Sequence, residues 1–431
     1  MRRLGLTFLT IAIALTCASL SYALDTVQQL LLFQQNGVHD GISLDFCANR
    51  FYVKAPGTPA RIDSFTNLFT FTRASTATFL GSDGLIQTAA SGAPRIEYDA
   101  SGNCLGLLIE GARTNRALWS NDMTNAAWVA TTMTTAQTAT GPDGVANSAT
   151  TLTATAGNAT SLQAFVEAAV DSDYCAWIKR RTGTGNIDMT EDAGATWVTR
   201  SVTSTWTKFC TAHQSFLNPS IGIRIVTNAD AVDVWGNQFE AGAFGSSTIP
   251  TTTVAVARAA DAAKRTPGAE FSATAGTTVA THNLAAGSFA TAIIVGFQNS
   301  SAEGYIYYNT GSAQQYDGTT VVAANGTPTA NVTTKVAASY GPAGQAIVSN
   351  TGTFAVATGA FDGSVAASPS FGIGTAGNGT SSPCFCRILR VDYWPTQLDN
   401  GFLLQRVQPG PQSALKWPTY AANDNAAARA A

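Results

Sequence analysis

The sequence predicts an all-β protein of tandem antiparallel β-sandwiches, and three observations carry that prediction. Thr, Val and aromatic residues recur in short alternating runs, a composition suited to a pleated, half-buried surface. Turn formers punctuate these runs, with 39 Gly and 15 Pro along the chain. No long segment carries the 3.6-residue apolar period of an amphipathic helix. The 431 residues suffice for two or three domains with separate cores. Charged residues make up 12%, yet apolar residues are spread evenly and no tract is polar enough for wholesale disorder.

The elements follow in order. Arg2 and Arg3 precede an apolar run over residues 4–15, and Ser21-Tyr22-Ala23 offers a small-x-small cleavage pattern. Residues 1–24 therefore read as a secretory signal or, if retained, an apolar docking segment. Val27, Leu30, Leu31 and Phe33 span too few residues for periodicity to separate helix from strand. Ile42, Leu44 and Phe46 share one side of a strand, so residues 25–115 read as a small N-terminal attachment region of β type. Ile221, Ile223 and Ile225, then Val232 and Val234 before Trp235 and Phe239, mark strands of a first sandwich, a jelly roll over residues 116–262. Residues 254–268 break the rhythm with Arg258, Asp261, Lys264, Arg265 and Pro267 and read as a connector. Phe289, Thr291, Ile293, Val295 and Phe297 belong to a second sandwich over residues 263–408, and residues 409–431 form a tail.

Charge and residue usage exclude several functions. A net charge of −3 leaves no cationic excess for a phosphate backbone, so no nucleic-acid partner is expected. The one basic run, Lys179-Arg180-Arg181, reads as a solvated strand end. His39, His213 and His282 lack a companion at ligand spacing, so neither metal nor cofactor is expected. Cys175 and Cys210 end two strands and read equally as a bridge or as buried thiols; Cys384 and Cys386 are too close for an ordinary bridge. No Gly-x-Ser-x-Gly elbow or Walker loop occurs, and no carboxyl pair stands out as a glycosidase dyad, so no catalytic residue is assigned. Asp188, Glu191 and Asp192, with Gly194, Thr196 and Trp197, read as a solvated loop, or else as a turn that meets a glycan or holds a cation. Trp128, Trp206 and Trp235 read as core residues with satisfied indole N–H groups, and Arg73 and Arg113 as cross-strand partners of Glu97, Asp99 and Glu110.

Binding is expected on aromatic residues. In Tyr305-Ile306-Tyr307-Tyr308 one alternate pair packs inward and the other faces out. Tyr305, Tyr307, Tyr316 and Trp197 are the candidate glycan contacts, because a ring offers a flat apolar face to a sugar and, for tyrosine, a hydroxyl to orient it.

Several runs carry a resemblance. These are Phe71-Thr72-Arg73-Ala74-Ser75-Thr76-Ala77-Thr78, Pro94-Arg95-Ile96-Glu97-Tyr98-Asp99, Gly106-Leu107-Leu108-Ile109-Glu110-Gly111-Ala112-Arg113-Thr114-Asn115, Trp235-Gly236-Asn237-Gln238-Phe239-Glu240-Ala241-Gly242 and Arg258-Ala259-Ala260-Asp261. They resemble a module of phage and prophage tail or fibre proteins and cover most of residues 65–262. The segment is similar to a carbohydrate-binding-module jelly roll, and the part ending Arg387-Ile388-Leu389-Arg390-Val391-Asp392-Tyr393-Trp394-Pro395 resembles a concanavalin-A-like or laminin-G-like, lectin-like sandwich. The resemblance implies a virion structural protein, homo-oligomeric and by analogy trimeric, partnered by other virion proteins and by host cell-surface glycans. The leader departs from that family and points instead to a secreted bacterial glycan-binding or adhesive protein; a polysaccharide depolymerase is the third reading.

Overall fold

The computed structural model describes residues 38–212, 214–285, 291–298, 305–309, 311–317, 320–358, 361, 369–376 and 382–408. The leader, residues 24–37, His213, Phe289 and the 409–431 tail lie outside them. Among the described residues the only helices are Phe65–Leu68 and Asn400–Val407, and the rest of the regular structure is antiparallel sheet. The all-β sandwich class expected from sequence is the class observed.

The larger sandwich is discontinuous. Its ten-stranded sheet runs Arg61–Ile62, Arg50–Lys54, Gly41–Asp45, Cys386–Trp394, Gly276–Leu284, Thr333–Gly341, Gly344–Ser349 and Ala355–Ala357, and Cys104–Ile109, joined by Ile96–Tyr98, also pairs with Cys386–Trp394. The seven-stranded companion runs Val321–Asn325, Ser312–Tyr316, Tyr305–Asn309, Ala292–Gln298, Pro369–Ile373, Ala262–Arg265 and Thr70–Thr72. Between them lie Ile42, Leu44, Phe69, Phe71, Leu107, Ile109, Ile294, Phe297, Tyr308, Phe371 and Tyr393. This arrangement corrects the separate attachment region expected over residues 25–115. Strand Gly41–Asp45 is buried along its length and needs a ladder on both edges, which Arg50–Lys54 and Cys386–Trp394 supply, with Ile42 opposite Tyr393. Gly41 permits that approach, because a Cβ there would stand 1.8 Å from the Tyr393 carbonyl oxygen.

The smaller sandwich is an insertion. One sheet runs Val129–Thr131, Ala159–Ala164, Ser220–Ile225, Ile187–Thr190 and Val198–Arg200. The other runs Met133–Ala139, Ala149–Ala154, Ala231–Ala241, Val170–Thr182 and Thr207–Cys210, with Gln214–Phe216 also on Val170–Thr182. Leu152, Tyr174, Ile178, Ile187, Ile221, Ile223, Ile225, Val232, Val234 and Phe239 fill the space between, as the period-2 runs predict. The chain enters and leaves through Arg113–Asn115 and Val256–Arg258, which pair antiparallel and hold the two crossings side by side.

Residues 254–268 carry the chain from the insertion to the larger sandwich as paired strand, Val256–Arg258 against Arg113–Asn115 and Ala262–Arg265 in the seven-stranded sheet. Arg258 and Asp261 are buried, and their charges break the apolar rhythm because each is ion-paired inside. The basic run is not a free solvated end either: Lys179 and Arg181 meet Asp233, and Arg180 meets Asp230. Cys47–Cys104 and Cys175–Cys210 are bridged. Cys384 and Cys386 are bridged too, contrary to expectation, because Phe385 at φ 46° turns the chain so that the two side chains converge.

Candidate functional site

The insertion folds back onto the larger sandwich and leaves a cleft of about 300 Å³ where they meet. Its walls come from several distant stretches: the hairpin Ala77–Leu80 and Ile86–Ala89, the strands carrying Glu97, Tyr98 and Leu108, the outer face of the insertion at Trp177 and Lys208, residues 244–248, and Phe385 with Arg387. Local alternation places the tryptophan there. Tyr174, Ala176 and Ile178 point into the insertion's core, so Trp177 between them faces out, where its indole N–H donates to Thr248 Oγ1 at 3.1 Å. Lys208 lies opposite Trp177 in the register of the next strand. At the rim Trp177, Trp206 and Ile86 pack around buried Trp235, with the Lys179 ammonium 4.9 Å over the Trp206 ring.

A buried charge network floors the cleft. Arg95 donates to Asp261 at 2.5 Å, to the Thr78 carbonyl at 2.8 Å and to Ser247 Oγ at 2.9 Å, and its guanidinium stands 2.8 Å from Glu110. Arg73 reaches the other oxygen of Asp261 at 2.9 Å, and Arg258 binds Glu110 at 2.6 Å. Ser247 donates to Glu110 through both its backbone N–H and its hydroxyl. Burial alone pushes the Glu110 carboxyl up, but Arg258, Arg95 and the Ser247 donors outweigh it and hold the group well below the usual carboxylate range. The expected pairing of Arg73 and Arg113 with Glu97, Asp99 and Glu110 is thus redistributed. Glu97 takes Arg387 at 2.5 Å, Asp99 closes a local turn with Asn103, and Arg113 lies over the Phe244 and Phe385 rings at 5.4 and 4.6 Å.

The cleft offers half-buried rings, hydroxyls and fixed charges. Two of its carboxyls are poor proton donors: the arginines hold Glu110 ionised, and side-chain and backbone donors of Asn103 keep Asp99 low. A raised pair exists elsewhere, inside the insertion. Burial pushes Asp173 up to about 6 and Glu191 up to about 7, and the Thr211 hydroxyl touches both. Asp173 also lies beside Cys175 and Cys210, but both sulfurs are taken by their bridge and unavailable to a metal.

The sequence-derived candidates do not converge. Ile306 and Tyr308 pack inward, as one alternate pair was expected to do. Tyr307 and Tyr316 sit half-buried together on Ile293 and Ala376, on the outer face of the seven-stranded sheet. Tyr305 is opposite Tyr316 in register, and its side chain lies outside the described residues. Trp197 belongs to the other sandwich, where the Arg224 guanidinium covers its ring at 4.3 Å and Gly194 packs beneath it. The acidic loop is not simply solvated, since Glu191 is buried and Asp188 holds Arg224. Tyr98, Trp177, Lys208, Phe244 and Arg387 were not singled out from sequence; the available signal was a tryptophan at the outward position between the inward-facing Tyr174, Ala176 and Ile178.

No protein-family model matches the sequence, and no curated protein matches it. Among solved structures the chain is similar to the N-terminal CBM22-1–CBM22-2 tandem domain of Paenibacillus barcinonensis Xyn10C, at 10% identity and a TM-score of 0.23, over 62% of this chain and 96% of that one. It is also similar to a Trypanosoma rangeli sialidase solved with a difluoro-KDN compound, at 12% identity and a TM-score of 0.24, over 83% of this chain and 66% of that one. At these TM-scores neither alignment establishes a common topology.

Proposed function

We propose that this protein is a non-enzymatic glycan-binding protein working outside the cell, with the cleft between its two sandwiches as the binding site. The carrying observation is the cleft itself: about 300 Å³, walled by Tyr98 and Trp177 rings among hydroxyls and ion pairs, a volume suited to one or two sugar residues. Its tied-up carboxylates support binding over hydrolysis, since a glycosidase needs one acid held protonated beside one ionised. The test is titration of the full chain with a panel of surface polysaccharides, read by tryptophan fluorescence, alongside an assay for released reducing ends. Trp177→Ala and Tyr98→Ala are each expected to weaken binding at least tenfold, with no reducing ends formed. Unchanged affinity in both variants, or sugar release by the native protein, overturns the reading.

The runs between Phe71 and Asp261 support placing the protein on a phage-type particle, as an oligomeric fibre, spike or decoration component. A secreted bacterial adhesive protein is the second reading, and the three disulfides favour it, because bridges persist in oxidising compartments and the cytoplasm keeps thiols reduced. Mass spectrometry separates the two: the chain in purified particles supports the first, and a chain starting near Leu24 in particle-free medium supports the second.

A further inference from the structure

The cleft wall holds a cation with no counter-ion. Lys208 carries three donors; one goes to the Ser246 carbonyl, and among the described residues no carboxylate stands within ion-pair distance of the ammonium. Burial pulls its pKa down, and Glu240, Glu110, Asp173 and Glu97 pull it back only from a distance. The nearest acids already have partners. Glu240 accepts from the Ser246 backbone and hydroxyl, Glu97 is held by Arg387, and Glu110 by Arg95 and Arg258.

The floor beneath, by contrast, is closed by its own ion pairs. Three guanidinium groups, Arg73, Arg95 and Arg258, meet two carboxylates, Glu110 and Asp261. Arg113, behind Phe244 and Phe385, lies over their rings, with Glu240 and Glu110 supplying opposite charge nearby. Glu97, Asp99 and Glu240 stand around the same cleft, so its charges balance in number, and what sets Lys208 apart is that, among the described residues, no carboxylate lies within ion-pair distance of it in a low-dielectric setting that strengthens attraction for an anion.

We infer that the cleft is built for an anionic saccharide, one bearing carboxylate or sulfate groups, whose oxyanion is received by the Lys208 ammonium while a sugar ring lies against Trp177. This rests on the glycan reading above and narrows it to a chemical class. The two remaining donors of Lys208 suit an oxyanion, and a neutral sugar would leave the ammonium without a close counter-charge.

The test compares three oligosaccharides on the full chain by calorimetry: an oligomer of a uronic acid, the neutral oligomer of the same parent sugar, and its sulfated form. The expected result is at least tenfold tighter binding of an acidic oligomer than of the neutral one, weakening as salt rises from 50 to 300 mM, roughly as screening of a charge pair requires. Lys208→Met is expected to collapse that preference to within about threefold and Lys208→Arg to keep it. The preference of the native protein is decisive even if a variant fails to fold. Equal affinity for acidic and neutral oligomers overturns the anionic inference and leaves glycan binding standing; binding of none of the three overturns both. Preference for the uronate or for the sulfated oligomer identifies the source of the oxyanion.

Discussion

Replacing His282 by leucine should make the larger sandwich more resistant to acid. His282 lies on strand Gly276–Leu284, is fully buried, and has no hydrogen-bond partner on either ring nitrogen. Its ring is 5.3 Å from that of Tyr308, whose buried hydroxyl also lacks a partner. Burial alone draws its pKa from 6.5 down to about 3. The folded protein keeps the ring neutral while the unfolded chain takes a proton near pH 6.5, so the penalty is absent above that pH and grows as pH falls toward 3. At about 1.4 kcal/mol per pH unit, the histidine costs about 2 kcal/mol at pH 5 and about 3 kcal/mol at pH 4. His282→Leu removes that slope and, by deleting two unsatisfied polar atoms from the core, is neutral or mildly stabilising at pH 7. Urea unfolding of both proteins at pH 7, 5 and 4 tests this, since acid effects from other groups are common to the pair. Curves that stay parallel within about 0.5 kcal/mol from pH 7 to 4 would refute the buried neutral imidazole.

The insertion should respond to pH in the opposite sense. The single Thr211 proton faces Asp173, Glu191 and the Tyr174 carbonyl, so a carboxyl proton is needed to satisfy the site, and the raised values of about 6 and 7 place it there. Carboxyls raised in the folded state contribute stability below their unfolded values that is lost as pH climbs through about 7. Amide exchange in strand Val170–Thr182 is therefore expected to quicken from pH 5 to 8 beyond its intrinsic rate, and Glu191→Gln to flatten the trend; native protection independent of pH defeats this account. For the bridge closing 57 residues between Cys47 and Cys104, loop-closure entropy gives about 4 kcal/mol, so a Cys47→Ser, Cys104→Ser double variant should show that loss in urea melts, and a loss below about 1 kcal/mol would count against the bridge.

Much of the fold was legible because a strand with one dry face writes its period into the chain. Ile42 and Leu44, and Ile221 through Ile225, alternate and are buried as read. Pairing was not legible, because Ser43 hydrogen-bonds Asp392 across 349 residues and no local pattern encodes that distance. Charge misled for a related reason. Arg258 and Asp261 look like solvated connector residues until Glu110, Arg73 and Arg95 arrive from the other side of the insertion. The site was hidden by the same rule, since Tyr98, Trp177, Lys208 and Arg387 are unremarkable singly and become a cleft only once the two crossing strands set the insertion against the larger sandwich.

That interrupted layout has a temporal consequence. The hairpin Gly41–Lys54 is translated early, yet its permanent neighbour Cys386–Trp394 comes 349 residues after Ser43 at the Asp392 contact, a wait of roughly 20–70 s at ~5–20 residues per second. Over that interval its apolar strand, with Ile42 and Leu44, has one side unclaimed, whereas residues 116–250 hold every strand of their own sandwich and are free to mature first. Nascent chains should thus acquire the inner unit before the outer one, and a ribosome stalled short of Cys386 should carry a finished insertion on an unfinished frame.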